Sequence, residues 1–281
     1  MARQLNSKVI VITGASSGIG AATAIQAAEA GMKVVLAARR ADRLQAVADQ
    51  IHAAGGESLV IPTDVARDDD VAQLTDRTLE SFGRIDAMLA NAGYGFLNAV
   101  DATSDDAHRR IFETNYWGTV RCVRSVIPIM QQQRSGHILI VSSIVGRIGL
   151  PYHAAYSATK SAQDTLAMGL RVELAFDQID VSCVYPVTTD TEFFEVSASI
   201  GRREPGQVHA PGKFVQSPQT VARAIMRCLR KPKPEVWPAP LLRWGAGLAL
   251  LMPRLTQRSL VRHAKKDRKR LPPPHHDATA S

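Results

Sequence analysis

The stretch Val9-Ile-Val-Ile-Thr13-Gly-Ala-Ser-Ser-Gly-Ile-Gly20 decides the fold. The β-branched residues Val9 to Ile12 do not alternate with polar ones, so a strand built from them is buried on both faces. Glycines follow at 14, 18 and 20, and an Ala-rich helical stretch over 18–30 stops at Gly31, a suitable C-cap. Glycines between a strand and a helix permit a tight turn, close approach of a phosphate to the backbone and close helix–strand packing. Their spacing is not the literal GxGxxG, but the mechanics are the same. The N–H groups and dipole at the helix start face an anion. Gly14, Ser16, Ser17, Gly18, Ile19 and Gly20 are therefore candidate dinucleotide contacts.

Downstream the pattern keeps alternating. Val34–Ala38, Ser58–Ile61, Ile85–Ala90, His137–Val141 and Val181–Tyr185 read as further buried strands, with Glu235–Trp237 as a short edge strand. Helical spacing separates them over 42–54, 68–81, 104–133, 152–177 and 217–230. Such a chain predicts a Rossmann-like, doubly wound parallel sheet in a three-layer α/β/α sandwich. Residues 1–238 make one catalytic and cofactor-binding domain, followed by an amphipathic C-terminal helical extension over 239–263. Residues 264–281, basic and containing Pro272-Pro-Pro274, read as a disordered tail.

The second strand bears on the choice of dinucleotide. An NAD site carries an acidic residue about 20 residues past the glycines, bonded to the ribose 2′-hydroxyl. Here the strand ends Ala37-Ala-Arg-Arg40, and the first acid is Asp42. A guanidinium grips a 2′-phosphate that a carboxylate would repel. NADP(H) is the expected cofactor, with Arg39 as main contact and Arg40 and Ser16 as helpers; the alternative makes both arginines solvated turn residues.

Tyr156-Ser-Ala-Thr-Lys160 opens the helix after the fifth strand. Positions i and i+4 share a helix face, and an ammonium there favours the phenolate. A phenol tuned toward neutrality exchanges a proton with a substrate hydroxyl. Ser143 follows the fifth strand, at the edge where open α/β sheets bind ligands, and its hydroxyl can donate to a carbonyl oxygen that gains charge.

These motifs together resemble the short-chain dehydrogenase/reductase family over roughly residues 6–230. The resemblance rests on TGASSGIG at 13–20, Asn91-Ala-Gly93, Asn115, Ser143 and YSATK at 156–160. It implies an NADP(H)-dependent oxidoreductase in which Tyr156 is the general acid/base, Lys160 also holds the nicotinamide ribose and Ser143 orients the carbonyl. It further implies that Asn115 anchors a water linking the lysine to solvent. By the same resemblance Asp64 and Val65 contact the adenine, and Asn91, Ala92 and Gly93 support the sheet and line the cofactor. Pro186 and Thr191 border the nicotinamide; Thr191 reads equally well as a helix N-cap. Val187 departs from the family, which has glycine after that proline. The other reading of the same fold is a dinucleotide-sensing or scaffold protein with weak catalysis.

Substrate specificity is expected between Pro186 and Gln216, in a lid-like stretch containing Phe193 and Phe194. Tyr94, Phe96, Ile148, Leu150, Tyr152 and His153 are candidates for the other wall, which suggests a hydrophobic carbonyl or alcohol substrate. The three cysteines show no metal or CxxC spacing and read as buried thiols in a reducing compartment. With no signal peptide or apolar membrane span in view, the expected location is cytoplasmic. Nucleic acid is not an expected partner: residues 254–281 account for +6 of the net charge of +8. The family resemblance implies a homo-oligomer. In 239–263 apolar residues combine with Arg254, Arg258 and Arg262. This fits peripheral contact with the inner membrane face through 239–270, or a helix covering the pocket or a subunit interface.

Overall fold

The computed structural model describes residues 2–187 and 216–268. The expected Thr191, Phe193 and Phe194 contacts lie outside the described residues. Seven strands form one sheet in the order β3-β2-β1-β4-β5-β6-β7, every neighbouring pair parallel. They are β1 Val9–Thr13, β2 Lys33–Ala38, β3 Glu57–Pro62, β4 Ala87–Ala90, β5 Gly136–Val141, β6 Ile179–Val184 and β7 Glu235–Val236. The order reverses at β1, so the carboxyl ends of β1 and β4 open the crevice where such sheets bind ligands.

The residues of β1 explain the three layers. Ile10 and Ile12 pack on one face with α1 (Gly18–Glu29), α2 (Ala41–Ala53) and α7 (Pro218–Arg230). Val9 and Val11 point to the other face, toward α3 (Asp68–Phe82), α5 (Gly118–Gln133) and α6 (Ala154–Glu173). All four are fully buried. A strand with both faces covered has no use for a polar alternate. Truncating a residue such as Ile10 to alanine would cost about 2–5 kcal/mol.

The helical stretch expected over 104–133 is interrupted. α4 (Asp105–Phe112) and α5 are joined by one π-helical turn, Glu113–Trp117, which carries Asn115. Single π turns often mark functional sites because they turn backbone groups out of the ordinary ladder.

The C-terminal extension is two helices, not one. α8 (Pro240–Leu251) meets α9 (Pro253–Arg268) at Met252, because Pro253 lacks an N–H to continue the first helix and suits the start of the next. α9 runs to Arg268, so the disordered tail expected from 264 does not begin there; residues 269–281 lie outside the described residues. Among the described residues no helix is long and apolar enough to cross a membrane. Cys122, Cys183 and Cys228 are buried free thiols.

His137, in β5, is 1% exposed, and its imidazole Nε2 lies 2.8 Å from the Ser182 hydroxyl. Burial pushes its pKa from 6.5 down to about 3. The unfolded chain therefore takes up this proton first, and stability falls as pH drops below 6.5 and levels off near 3. The expected slope from this one group is about 1.4 kcal/mol per pH unit. Urea unfolding between pH 7 and 5 should show that loss, and His137→Gln should flatten it.

Candidate active site

The glycine turn is held from below by β4. The Asn91 side chain donates to the carbonyls of Thr13 (3.0 Å) and Gly14 (3.3 Å), while the Thr13 hydroxyl accepts from the backbone N–H groups of Asn91 and Ala92. Two glycines are required for distinct reasons. Gly14 sits at φ +67°, and a Cβ on Gly20 would stand 2.2 Å from the Gly14 carbonyl oxygen. The crowding brings the first turn of α1 against the end of β1. That turn contains no acidic residue, and the Ser17 hydroxyl at its start accepts none of its N–H groups, so those groups suit a dinucleotide phosphate.

Both arginines after β2 are exposed at this edge. Arg40 reaches the turn, donating to the hydroxyls of Ser16 (3.1 Å) and Ser17 (3.2 Å). Arg39 lies near enough to Tyr94 to favour its phenolate, against the stronger upward push of burial. Asp64 closes the turn after β3 by accepting from Ala66 N–H (3.0 Å), and Val65 is buried against Gly118.

Ser143, Tyr156 and Lys160 converge at the carboxyl end of β5. Ser143 caps the short 3-10 turn Ile144–Gly146, accepting from Val145 N–H (3.3 Å) and donating to the Pro186 carbonyl (3.4 Å). The same carbonyl accepts Ile144 N–H, which ties the Ser143 loop to the end of β6. Ser143 stands close enough to the Tyr156 phenol to favour its ionised form. The Lys160 ammonium lies 5.6 Å from the Tyr156 ring centroid. It is 4% exposed and donates to the Val141 carbonyl and to Gln163 Oε1, both at 2.8 Å.

Burial pushes the half-buried Tyr156 phenol up and Ser143 pulls the other way, while the Lys160 ammonium does not lower it here. The ammonium serves two other acceptors instead. Burial lowers the lysine itself from 10.5 to about 8.

Asn115 is held by hydrogen bonds from both its side chain and its backbone. Its side chain bonds Tyr94 on both sides, accepting from the N–H (3.0 Å) and donating to the carbonyl (2.8 Å), and also donates to Thr159 (3.0 Å). Its backbone carbonyl accepts from the Gln163 side-chain amide and the Thr119 hydroxyl, both at 2.7 Å. Two protein donors occupy a carbonyl with two lone pairs. Gln163, fully buried, thus joins Lys160 directly to Asn115. The sequence reading missed it. The available signal was a lone amide three residues past Lys160, on the helix face of Tyr156, Thr159 and Lys160. Gly93 belongs to the same knot, since a Cβ there would stand 3.0 Å from Asn115 Oδ1.

On the expected substrate side, Tyr94 and Tyr156 pack with Phe96, Ile111 and Ala155 in a small apolar cluster. Phe96 is 4% exposed and so belongs to the core of that cluster. Tyr152 is held at φ +62°, and its carbonyl accepts Asn98 N–H (2.8 Å). Val187 N–H meets Gln216 Oε1 at 3.4 Å. A surface cleft lined by Arg3, Arg171, Asp180 and Lys233 lies at the amino end of β6 and contains none of the predicted residues. No cluster of metal-ligating side chains occurs among the described residues.

Comparison with known proteins supplies the family and the fold. Residues 8–199 match the family model described as short chain dehydrogenase. An uncharacterized oxidoreductase of Listeria innocua is 35% identical over 231 residues, covering 82% of this chain and 93% of its own. The bovine dehydrogenase/reductase SDR family member 7B is 31% identical over 276 residues, 96% of this chain and 85% of its own. A short chain dehydrogenase/reductase from Burkholderia phymatum, solved in complex with NAD, superposes with a TM-score of 0.80 at 26% identity, covering 90% of this chain and 96% of its own. An alcohol dehydrogenase from the archaeon Thermococcus sibiricus, complexed with 5-hydroxy-NADP, gives 0.71 at 29% identity, covering 83% and 96%. With the parallel sheet, the glycine turn and the Ser143–Tyr156–Lys160 convergence already in place, the chain belongs to the short-chain dehydrogenase family of oxidoreductases.

Proposed function

We propose that the chain is an NADP(H)-dependent reductase of a hydrophobic carbonyl compound. The observation that carries this reading is the meeting of Ser143, Tyr156 and the Lys160 ammonium at the carboxyl edge of the sheet, with the ammonium 5.6 Å from the phenol ring and bonded to the Val141 carbonyl. When bound, the dinucleotide supplies the hydride. The protein supplies the proton and the electrostatics. Ser143 donates a hydrogen bond to the carbonyl oxygen, and Tyr156 delivers its proton to that oxygen as charge develops. A phenol with a raised pKa is fully protonated at neutral pH, which suits it to the acid role in reduction. The apolar neighbours of Tyr156 support a hydrophobic substrate.

Lys160 uses two of its three N–H groups on Val141 and Gln163, which leaves one for a ribose hydroxyl. Gln163 positions that ammonium between β5 and the π turn. Arg39 and Arg40, both exposed beside the glycine turn, supply the positive charge for a 2′-phosphate.

NADPH oxidation against a panel of apolar ketones tests the reaction. Tyr156→Phe should lower kcat by at least about a hundredfold while leaving NADPH binding by fluorescence intact. NADPH binding without ketone-dependent oxidation by wild type would favour a dinucleotide-sensing protein, and an unchanged rate in Tyr156→Phe would remove that residue from the acid role. Arg39→Asp should raise the KM for NADPH about tenfold to a hundredfold, from a lost charged hydrogen bond, and leave NADH unaffected or improved.

The Lys160 ammonium is present below about pH 8 and is lost above it. kcat/KM for NADPH should therefore be level at neutral pH and fall as pH rises through about 8. Gln163→Leu, which removes an acceptor from the ammonium, should move this limb to lower pH. Gln163→Glu, which adds a negative charge, should move it higher. A limb that stays in place in both variants would remove Gln163 from the lysine's control.

A further inference from the structure

The two C-terminal helices turn an unusual surface to solvent. Along α8, Leu241, Trp244, Leu248 and Leu251 are 84, 78, 58 and 81% exposed. Their spacing, i, i+3, i+7 and i+10, puts them in one ridge about 15 Å long. The opposite side of the helix is covered: Ala246 is buried, and Leu242 and Ala249 are partly so. A helix on the surface of a globular protein ordinarily shows the reverse arrangement, with its apolar stripe inward. Met252 and Leu255 extend the exposed apolar surface into the junction with α9.

Charge accompanies the ridge. Between Glu235 and Asp267 the chain has no acidic residue and six basic ones, Arg243, Arg254, Arg258, Arg262, Lys265 and Lys266. Arg243 is paired with Glu235 (3.1 Å). Arg254, Arg258, Arg262 and Lys265 are all exposed on α9, within one broad face at helical spacing. The Thr256 hydroxyl donates to the Ala249 carbonyl (2.8 Å), which fixes the corner between the two helices.

We propose that α8 and α9 are a docking surface for an anionic lipid bilayer, with Leu241, Trp244, Leu248 and Leu251 entering the headgroup–acyl boundary and the α9 cations meeting lipid phosphates. Charge decides between this occupant and a second copy of the chain. In a two-fold contact the same patch faces itself, which would bring two sets of unneutralised cations together. Anionic headgroups neutralise them, and an exposed Trp and leucines beside arginines are the side chains suited to the interface. β7 runs parallel to β6, so α8 starts from the carboxyl edge of the sheet. A chain docked through α8 holds the edge bearing Ser143 and Tyr156 close to the lipid. The docking itself does not depend on the reaction assigned to that edge.

Flotation of the full-length protein with vesicles tests the proposal. Wild type should float with phosphatidylcholine vesicles containing about 30 mol% phosphatidylglycerol, and much less with phosphatidylcholine alone. Replacing Arg254, Arg258 and Arg262 with Gln should weaken partition by about a hundredfold. Trp244→Ser with Leu248→Ser should also abolish flotation. Both variants alter exposed residues, and an unchanged melting temperature confirms that they fold. The proposal is overturned if wild type stays unbound with the anionic vesicles, or if neither variant changes its partition. It is equally overturned if sedimentation equilibrium shows a dimer that Trp244→Ser and Leu248→Ser split, since the ridge is then a subunit seam.

Discussion

One buried charge organises the active edge of this protein. The Lys160 ammonium is withdrawn from water and held between the Val141 carbonyl at the end of β5 and Gln163 on its own helix. A buried cation is tolerated only where its donors are met, and removing a partner from such a group is strongly destabilising. The hydrogen bonds around it therefore specify where α6 lies against β5. Through Gln163 they also specify where the π turn with Asn115 lies against α6. Asn115 extends the network to Tyr94 and the segment after β4. The Tyr156 phenol, one helical turn before the lysine, inherits its position from this network.

A second network holds the Ser143 loop from the other side. Arg147, just past the 3-10 turn, pairs with Asp164 on α6 and Glu235 on β7, both at 2.7 Å, and donates to the Tyr185 hydroxyl at 2.6 Å. Tyr185 stacks on Trp237 at 4.4 Å. Glu235 also takes Arg243 of α8, so the C-terminal helices and the Ser143 loop share one carboxylate. Arg suits this junction because its planar fork can serve several acceptors at once. The edge strand is short, two residues, yet it couples the extension to the site.

The α/β/α sandwich was legible because its signals are local. The unbroken β-branched run of β1 requires two covered faces, and the glycines require a turn that only glycine can make. The i, i+4 pair Tyr156 and Lys160 shares a helix face wherever that helix is packed. These features depend on periodicity and on the φ values open to each residue, both of which are written along the chain. The convergence of Ser143 with Tyr156 was foreseen from the rule that parallel strands end on a common edge.

What the sequence by itself determined was the order of strands and helices, the glycine turn and the grouping of Ser143, Tyr156 and Lys160. Only the tertiary structure decided which groups compete for the ammonium: Val141 and Gln163 take it, and burial keeps the phenol protonated. Likewise it assigned Arg40 rather than Arg39 to the hydroxyls of the glycine turn, and it turned the leucine ridge of α8 outward. The reason is physical. Desolvation and hydrogen-bond choice depend on every group that packing brings within a few ångströms, and most of those groups are distant in the chain.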